Sequence, residues 1–331
     1  MRSKLYLLLF TLLFTPALFA QTLFFDLAER DVPAGGERRI VPQRYRTVRL
    51  DVAAAGVFLQ QTPNESVLNA SDGSSAAART AKLPILTLPM PDGGTSRFRL
   101  VESSVMADEL QAKYPETRCY TGKGLDDPTA TLKCDLTPWG FHAMILSSRT
   151  GTIFIDPYAH GNRDFYVVYF KKDYQRTDPD ALFSCSVNGD EHLTEIKEGG
   201  EHGDFQGDCQ KRTYRLALAC TGEYAGFHGG TKPLVISAMN TTMNRVNGVY
   251  ERDLAITMKI VAKNDTLIYL SASGDPYANT NGSTMLGQNV TTCNSRIGVA
   301  NYDIGHVFST GGGGIASLGS VCGTNKARGV T

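Results

Sequence analysis

The chain has 331 residues, with 33 basic and 33 acidic side chains and a formal net charge of zero. A hydrophobic share of 42% with 20% charged residues supplies ample core material and excludes wholesale disorder. The charge balance excludes a general nucleic-acid binder, which needs a basic face to displace counterions from phosphates.

Residues 1–20, MRSKLYLLLFTLLFTPALFA, place Arg2 and Lys4 ahead of an apolar run from Leu5 to Phe14, followed by Pro16 and the small Ala20. This is the pattern of a secretory signal peptide, so a secreted, periplasmic or extracellular location is expected, with the mature chain starting near Gln21. No later stretch approaches the roughly 20 apolar residues of a membrane span. The seven cysteines are Cys119, Cys134, Cys185, Cys209, Cys220, Cys293 and Cys322. In an oxidising compartment disulfides are the default, and an odd count leaves one free, paired between chains or without its partner.

At roughly 100–200 residues per domain the length suggests two domains. Residues 21–190 are expected to form a β-rich unit, an antiparallel meander or sandwich. Its strand candidates are RTVRLDV (46–52), GVFLQQ (56–61), FRLVESSVM (98–106), TLKCDL (131–136), FHAMIL (141–146), GTIFIDPY (151–158) and DFYVVYF (164–170). The Ser-, Ala- and Asn-rich residues 62–82 read as a mobile loop. Cys119 and Cys134 bracket a polar turn and are candidates to staple a hairpin. Residues 191–211, acidic and Gly-rich, read as a linker exposed to proteases.

The pattern then changes. TYRLALACT (213–221) reads as a strand, GEYAGFHGG as a short helical turn, and residues 232–254 as a helix with apolar residues at helical spacing. AITMKIVA (255–262) is a strand, MLGQNVTTCNSRIG a second helix ending at Gly298, and YDIGHVFS (302–309) a strand. Gly311–Gly314 then lead into IASLGSVC (315–322). This alternation implies a mixed, helix-covered sheet over residues 212–331, and an α+β, multidomain chain overall.

Several motifs fail on inspection. A phosphate-cradling glycine loop opens a helix, whereas the four-glycine run precedes an apolar, β-branched stretch. Ser317 in IASLG lacks the glycine two residues earlier that a nucleophile elbow requires. The histidines are His142, His160, His192, His202, His228 and His306, and no two are four apart, as H-E-x-x-H demands. His192 and His202 are ten apart, but Ile196 and Leu193 stand where a third ligand and the glutamate would be. His306, alternating with apolar neighbours, reads as a satisfied core histidine rather than a ligand.

The runs RTYRLALACTGEYAGFHGG, MNTTMNRVNGVYERDLAITMKIVA and above all NYDIGHVFSTGGGGIASLGSVCGTNKARGVT resemble the first part of the catalytic domain of bacterial reprolysin-like zinc metallopeptidases, metzincins of the adamalysin type. Residues 21–190 are similar to the accompanying propeptide through LDDPTATLKCDLTPWGFHAMI and GTIFIDPY. The resemblance implies a secreted zinc metalloendopeptidase precursor acting on protein or peptide substrates, cut off before the zinc-binding helix. With no catalytic or metal-ligating residue of its own, the chain is expected to be inactive as it stands. Neither nucleic acid nor, after signal cleavage, membrane is expected as a partner. The resemblance makes Gly314, Ile315 and Ala316 the substrate-binding rim of the cleft, and Cys185 the candidate cysteine switch, with Cys209 second and a plain disulfide the alternative role. It also places Arg215 where some relatives carry an acidic calcium ligand opposite Asp303. Calcium is therefore disfavoured, and an Arg215–Asp303 ion pair is expected in its place. The rival reading is a non-catalytic exported binding protein that retains the β-domain.

Overall fold

The computed structural model describes residues 22–69, 75–175, 185–188 and 210–331. The signal segment, Cys209 and nearly all of the expected linker lie outside them. Among the described residues the chain is α+β, with one large antiparallel sheet, one mixed sheet and six α-helices.

The first sheet has nine strands: β1 (Phe24–Asp26), β2 (Arg46–Leu50), β3 (Ile85–Pro89), β4 (Thr95–Glu102), β5 (Arg118–Gly124), β6 (Thr131–Thr137), β7 (Gly140–Ser147), β8 (Gly151–Pro157) and β9 (Phe165–Phe170). Their order is β1-β2-β9-β8-β7-β6-β5-β4-β3, every pair antiparallel. Along β4, Ser96, Phe98 and Leu100 turn inward while Thr95 and Arg97 face solvent, the period-two pattern of a pleated strand. Phe98, Leu100, Leu132, Ile145, Ile153 and Val168 build one apolar core on that face.

Helix α1 (Val52–Gln60) covers part of this core with Ala55 and Leu59. The stretch GVFLQQ, expected as a strand, is its second half. The Asp51 side chain accepts a hydrogen bond from Ala54 N at 2.9 Å, and the three alanines that follow favour a helix. The range expected as a mobile loop contains helix α2 (Ala76–Ala81), capped by Ser75 Oγ on Ala78 N. A short helix α3 (Asp108–Lys113) precedes β5.

Cys119 and Cys134 do not staple a hairpin. Cys119 stands opposite Asp135 and Cys134 opposite Tyr120, so the one-residue offset sends the two sulfurs to opposite faces. Cys134 enters the first core, whereas Cys119 Sγ accepts from Asn240 Nδ2 at 2.8 Å on the other side. Both are free thiols, as are Cys220, Cys293 and Cys322.

The second sheet contains β10 (Cys185–Asn188), β11 (Arg212–Cys220), β12 (Ile256–Ile260), β13 (Ile304–Phe308), β14 (Gly314–Ser317) and β15 (Gly329–Val330), in the order β10-β14-β15-β13-β11-β12. Strands β11, β12, β13 and β15 run parallel, and β14 is antiparallel to β15. The last five residues of β11 are all buried, the continuous apolar run of a central parallel strand. Helix α4 (Gly222–Phe227) follows β11, then α5 (Lys232–Leu254) connects to β12, and α6 (Gly282–Arg296) lies between β12 and β13.

Helix α5 is sandwiched between the sheets. Val235, Ile236, Met239 and Met243 face the core of the second sheet. The opposite face meets the first sheet through polar contacts: Thr241 Oγ1 to Asp135 at 2.9 Å, Asn244 Nδ2 to the Cys134 carbonyl at 2.9 Å, and Arg245 to Asp156 at 2.5 Å. Glu251 accepts from Lys133 at 2.7 Å. The helix must come close here, since a Cβ on Gly248 would sit 2.8 Å from Lys133 Cγ.

Chain that precedes residue 190 also lines both edges of the second sheet. Ala107 N donates to the Ile260 carbonyl and Ile260 N to the Val105 carbonyl, each at 2.8 Å, along the outer side of β12. At the far edge, β10, which falls within the range expected for the first unit, runs parallel beside β14.

Candidate functional site

Strand β14 pairs on one side with β15, Ile315 opposite Val330 and Ala316 opposite Gly329, and Ser317 N donates to the Arg328 carbonyl at 3.1 Å. On its other side Cys185 stands opposite Gly314, Ser186 opposite Ile315 and Val187 opposite Ala316. The expected rim residues Gly314, Ile315 and Ala316 and the expected switch residue Cys185 thus lie in one strand pair. The Ser317 hydroxyl accepts from Arg328 Nε at 2.8 Å.

The glycine run shapes the approach to this strand. A Cβ on Gly311 would fall 2.7 Å from the Asn279 carbonyl, so only glycine fits. Asn279 fastens the loop: its Oδ1 accepts from Thr310 N at 3.0 Å and Thr221 Oγ1 at 2.8 Å, and its Nδ2 donates to Thr310 Oγ1 at 2.8 Å. Behind the loop lies an open cavity of ≈ 240 Å³ lined by Thr280, Gly282, Met285, Gly313, Ile315 and Val330, among others. Helix α6 begins at this cavity, its Asn281 side chain capping Thr284 N, and Gly282 lets the helix pass close to Ile315. The main-chain groups of β14 are taken by β15 on one side and by the extended β10 on the other, and the cavity lies beside that strand pair.

The described residues do not by themselves fit a resident zinc ion. Among the described residues, no three His, Cys, Asp or Glu side chains converge to hold a metal. His306 on β13 instead shares a hydrogen bond with Thr331 Oγ1 at 2.9 Å, and burial pushes its pKa down to about 4, so it is neutral at pH 7. His142 is held 3.0 Å from Asp135. The buried thiols are unsuited to nucleophilic work, since burial pushes Cys220 and Cys293 up to about 12 and Cys119 and Cys134 well above the ordinary range. Arg215 and Asp303 form the expected ion pair, Nη2 to Oδ1 at 2.7 Å and Nε to Oδ2 at 3.1 Å, with Arg215 N also donating to Asp303.

From β11 onward the spatial order is β12-β11-β13-β15-β14, with β14 alone reversed and two long helices in the connections. Residues 236–331 match the model of metallo-peptidase family M12B, reprolysin-like. The match runs from within α5, at residue 236, to the end of β15 and takes in the whole of β14. The reprolysin-like segment covers under a third of the chain. No curated protein matches the chain. No helix among the described residues is long and apolar enough to cross a membrane.

Two features escaped sequence reasoning. The first is the seating of Cys185–Asn188 on β14. Its only signal is a short run, CSVN, that is too brief to assign a partner. The second is the polar face of α5. Asn240 and Asn244 stand there one turn apart, followed by Arg245, polar positions that mark a second packed side.

Proposed function

We propose that the chain is the precursor of a secreted zinc-dependent metalloendopeptidase, in which the first unit is a propeptide that occupies the substrate edge of the second. The observation that carries this reading is the parallel pairing of β10 with β14 beside a reprolysin-like segment. An extended peptide adds to a sheet edge through alternating main-chain donors and acceptors, and β10 already holds that edge. Gly314, Ile315 and Ala316 are then the rim that substrate would contact, and Cys185 is the thiol that resemblance marks for latency. Zinc would need donors from outside the described residues, and no hydrolytic step is assigned to the described side chains; the resemblance is what supports proposing that the chain is inactive as it stands.

The test uses the full chain and a labelled extended peptide of mixed apolar sequence. Replacing both Ser186 and Val187 by proline removes two N–H donors and disfavours the β10 pairing. Peptide binding, followed by fluorescence anisotropy, is expected to tighten at least roughly tenfold, about 1.4 kcal/mol. Equal binding by the wild type and the double variant would refute occupancy of the edge.

A second reading, a non-catalytic exported binding protein, is favoured by the lack of three converging donors among the described residues. Chelator-sensitive cleavage of casein by the chain excludes it. Peptide binding that ignores both chelator and zinc supports it.

A further inference from the structure

A cavity of ≈ 260 Å³ lies where the first unit meets α4 and α5, walled by Arg39, Trp139, His160, Phe227, His228 and Arg245, among others. Two of its imidazoles come from opposite sides. His160 follows β8 in the first unit, and its ring lies 4.5 Å from that of Trp139. His228 ends α4 in the second unit, with its ring 4.4 Å from Tyr224 and 5.0 Å from Phe227. Arg39 of the first unit reaches across, its guanidinium 4.1 Å from the centre of the Phe227 ring. Trp139 closes the contact by donating Nε1 to the Leu234 carbonyl at 2.9 Å.

The carboxylates nearest this cavity are already engaged, while Glu223 of α4, with Oε2 buried and unpartnered, is not among the residues that line it. Glu37 pairs with Arg39 at 2.9 Å, Asp156 holds Arg245 at 2.5 Å and Tyr169 at 2.8 Å, and Asp135 holds His142 and Thr241. His160 Nε2 is buried with no hydrogen-bond partner. A proton gained by either imidazole therefore meets a cation, Arg39, and a second imidazole, rather than a waiting carboxylate.

We propose that His160 and His228 form an acid-sensitive latch, whose protonation loosens the hold of the first unit on α4 and α5. The electrostatics agree in sign. Burial, then Arg39 and His160, pushes His228 down to about 4, and burial with Arg39 holds His160 below its ordinary range, Glu37 opposing. Once undocked, each imidazole returns toward about 6.5 and binds a proton more readily. Docking is therefore complete above about pH 6.5 and weakens as the pH falls toward 4. At tenfold per unit of pKa, His228 sets a ceiling on the order of 100-fold. The latch itself stands on this geometry. Only its consequence, easier access to the β14 edge in an acidic compartment, rests on the propeptide reading.

Trp139 is the one tryptophan of the chain and sits on the contact, so it reports docking directly. In the full chain at pH 7, its emission is expected to be blue-shifted and shielded from acrylamide. Between pH 6.5 and 4 it should shift red and become accessible to acrylamide, while far-ultraviolet circular dichroism stays constant. The His160→Gln, His228→Gln double variant should flatten that transition. Arg39→Gln, which removes the cation, should shrink it even if the double variant folds poorly. Loss of intensity with unchanged emission maximum and acrylamide access would mean that the imidazolium merely quenches the ring, and would overturn the latch. A transition unaltered by these changes would overturn it too. Because the readout involves no peptide and no metal, its failure is separate from any failure of the protease reading.

Discussion

The two faces of the nine-stranded sheet are covered in opposite ways. One is sealed by side chains such as Phe98, Leu132, Ile145 and Val168, with α1 laid over part of it. The other meets α5 through Lys133–Glu251, Asp156–Arg245, Asp135–Thr241 and Asn244. An apolar core loses free energy with every methylene removed, whereas a buried ionic contact gains little over an apolar one and is costly mainly when half of it is removed. The first face thus has the chemistry of a permanent core, and the second resembles an interface between partners that separate.

That contrast can be broken at several points. Phe98→Ala should cost about 3–5 kcal/mol in urea unfolding followed by circular dichroism, because it opens a cavity in the permanent face. Asp156→Ala should cost about 3 kcal/mol, since it strands the Arg245 guanidinium and the Tyr169 hydroxyl. Here the loss should register first in Trp139 emission rather than in the melting of the sheet. Changing Asp156 to Leu and Arg245 to Met together should recover most of that loss. If it does not, the contact is more than a paired charge. Asn247→Ala tests the side of α5 that belongs with the second sheet, where the amide donates to the Met258 carbonyl and accepts from Met258 N. About 1–3 kcal/mol should be lost, with Trp139 emission unchanged. The smallest effect belongs to Arg215→Ala, about 0.2–1 kcal/mol, because the pair is half exposed. Arg215 holds the Asp303 carboxyl below its ordinary range, so the pair contributes above about pH 4. That contribution disappears as the pH falls through the lowered value, which a pH series of melting temperatures would follow.

The sequence displayed some of this organisation openly. The strands of the meander follow one another with little intervening chain, so runs such as TLKCDL and FHAMIL are legible by local pattern. Helix α5 and strand β11 declare themselves by period and by a continuous apolar run. GVFLQQ misleads because a buried helix face and a buried strand share the same short apolar spelling. The Asp51 cap and the alanines Ala53–Ala55 tell them apart. At the candidate site, family resemblance singled out Gly314–Ala316 and Cys185 separately as expectations, but nothing in the sequence paired them. The pairing joins residues more than 120 positions apart, and no local preference encodes so distant a neighbour. The His160–His228 contact is hidden for the same reason.

On the propeptide reading, the strip Val105–Ala107 on the outer edge of β12 bears on processing. Together with β10 it grips the second sheet at both ends, so the first unit is a bivalent ligand of the second. Severing the chain anywhere in 191–209 leaves the β12 grip and the α5 contact intact, and the released end remains tethered at high effective concentration. A single nick should therefore yield a nicked but persistent complex. Departure of the first unit becomes a cooperative event in which both grips are lost together.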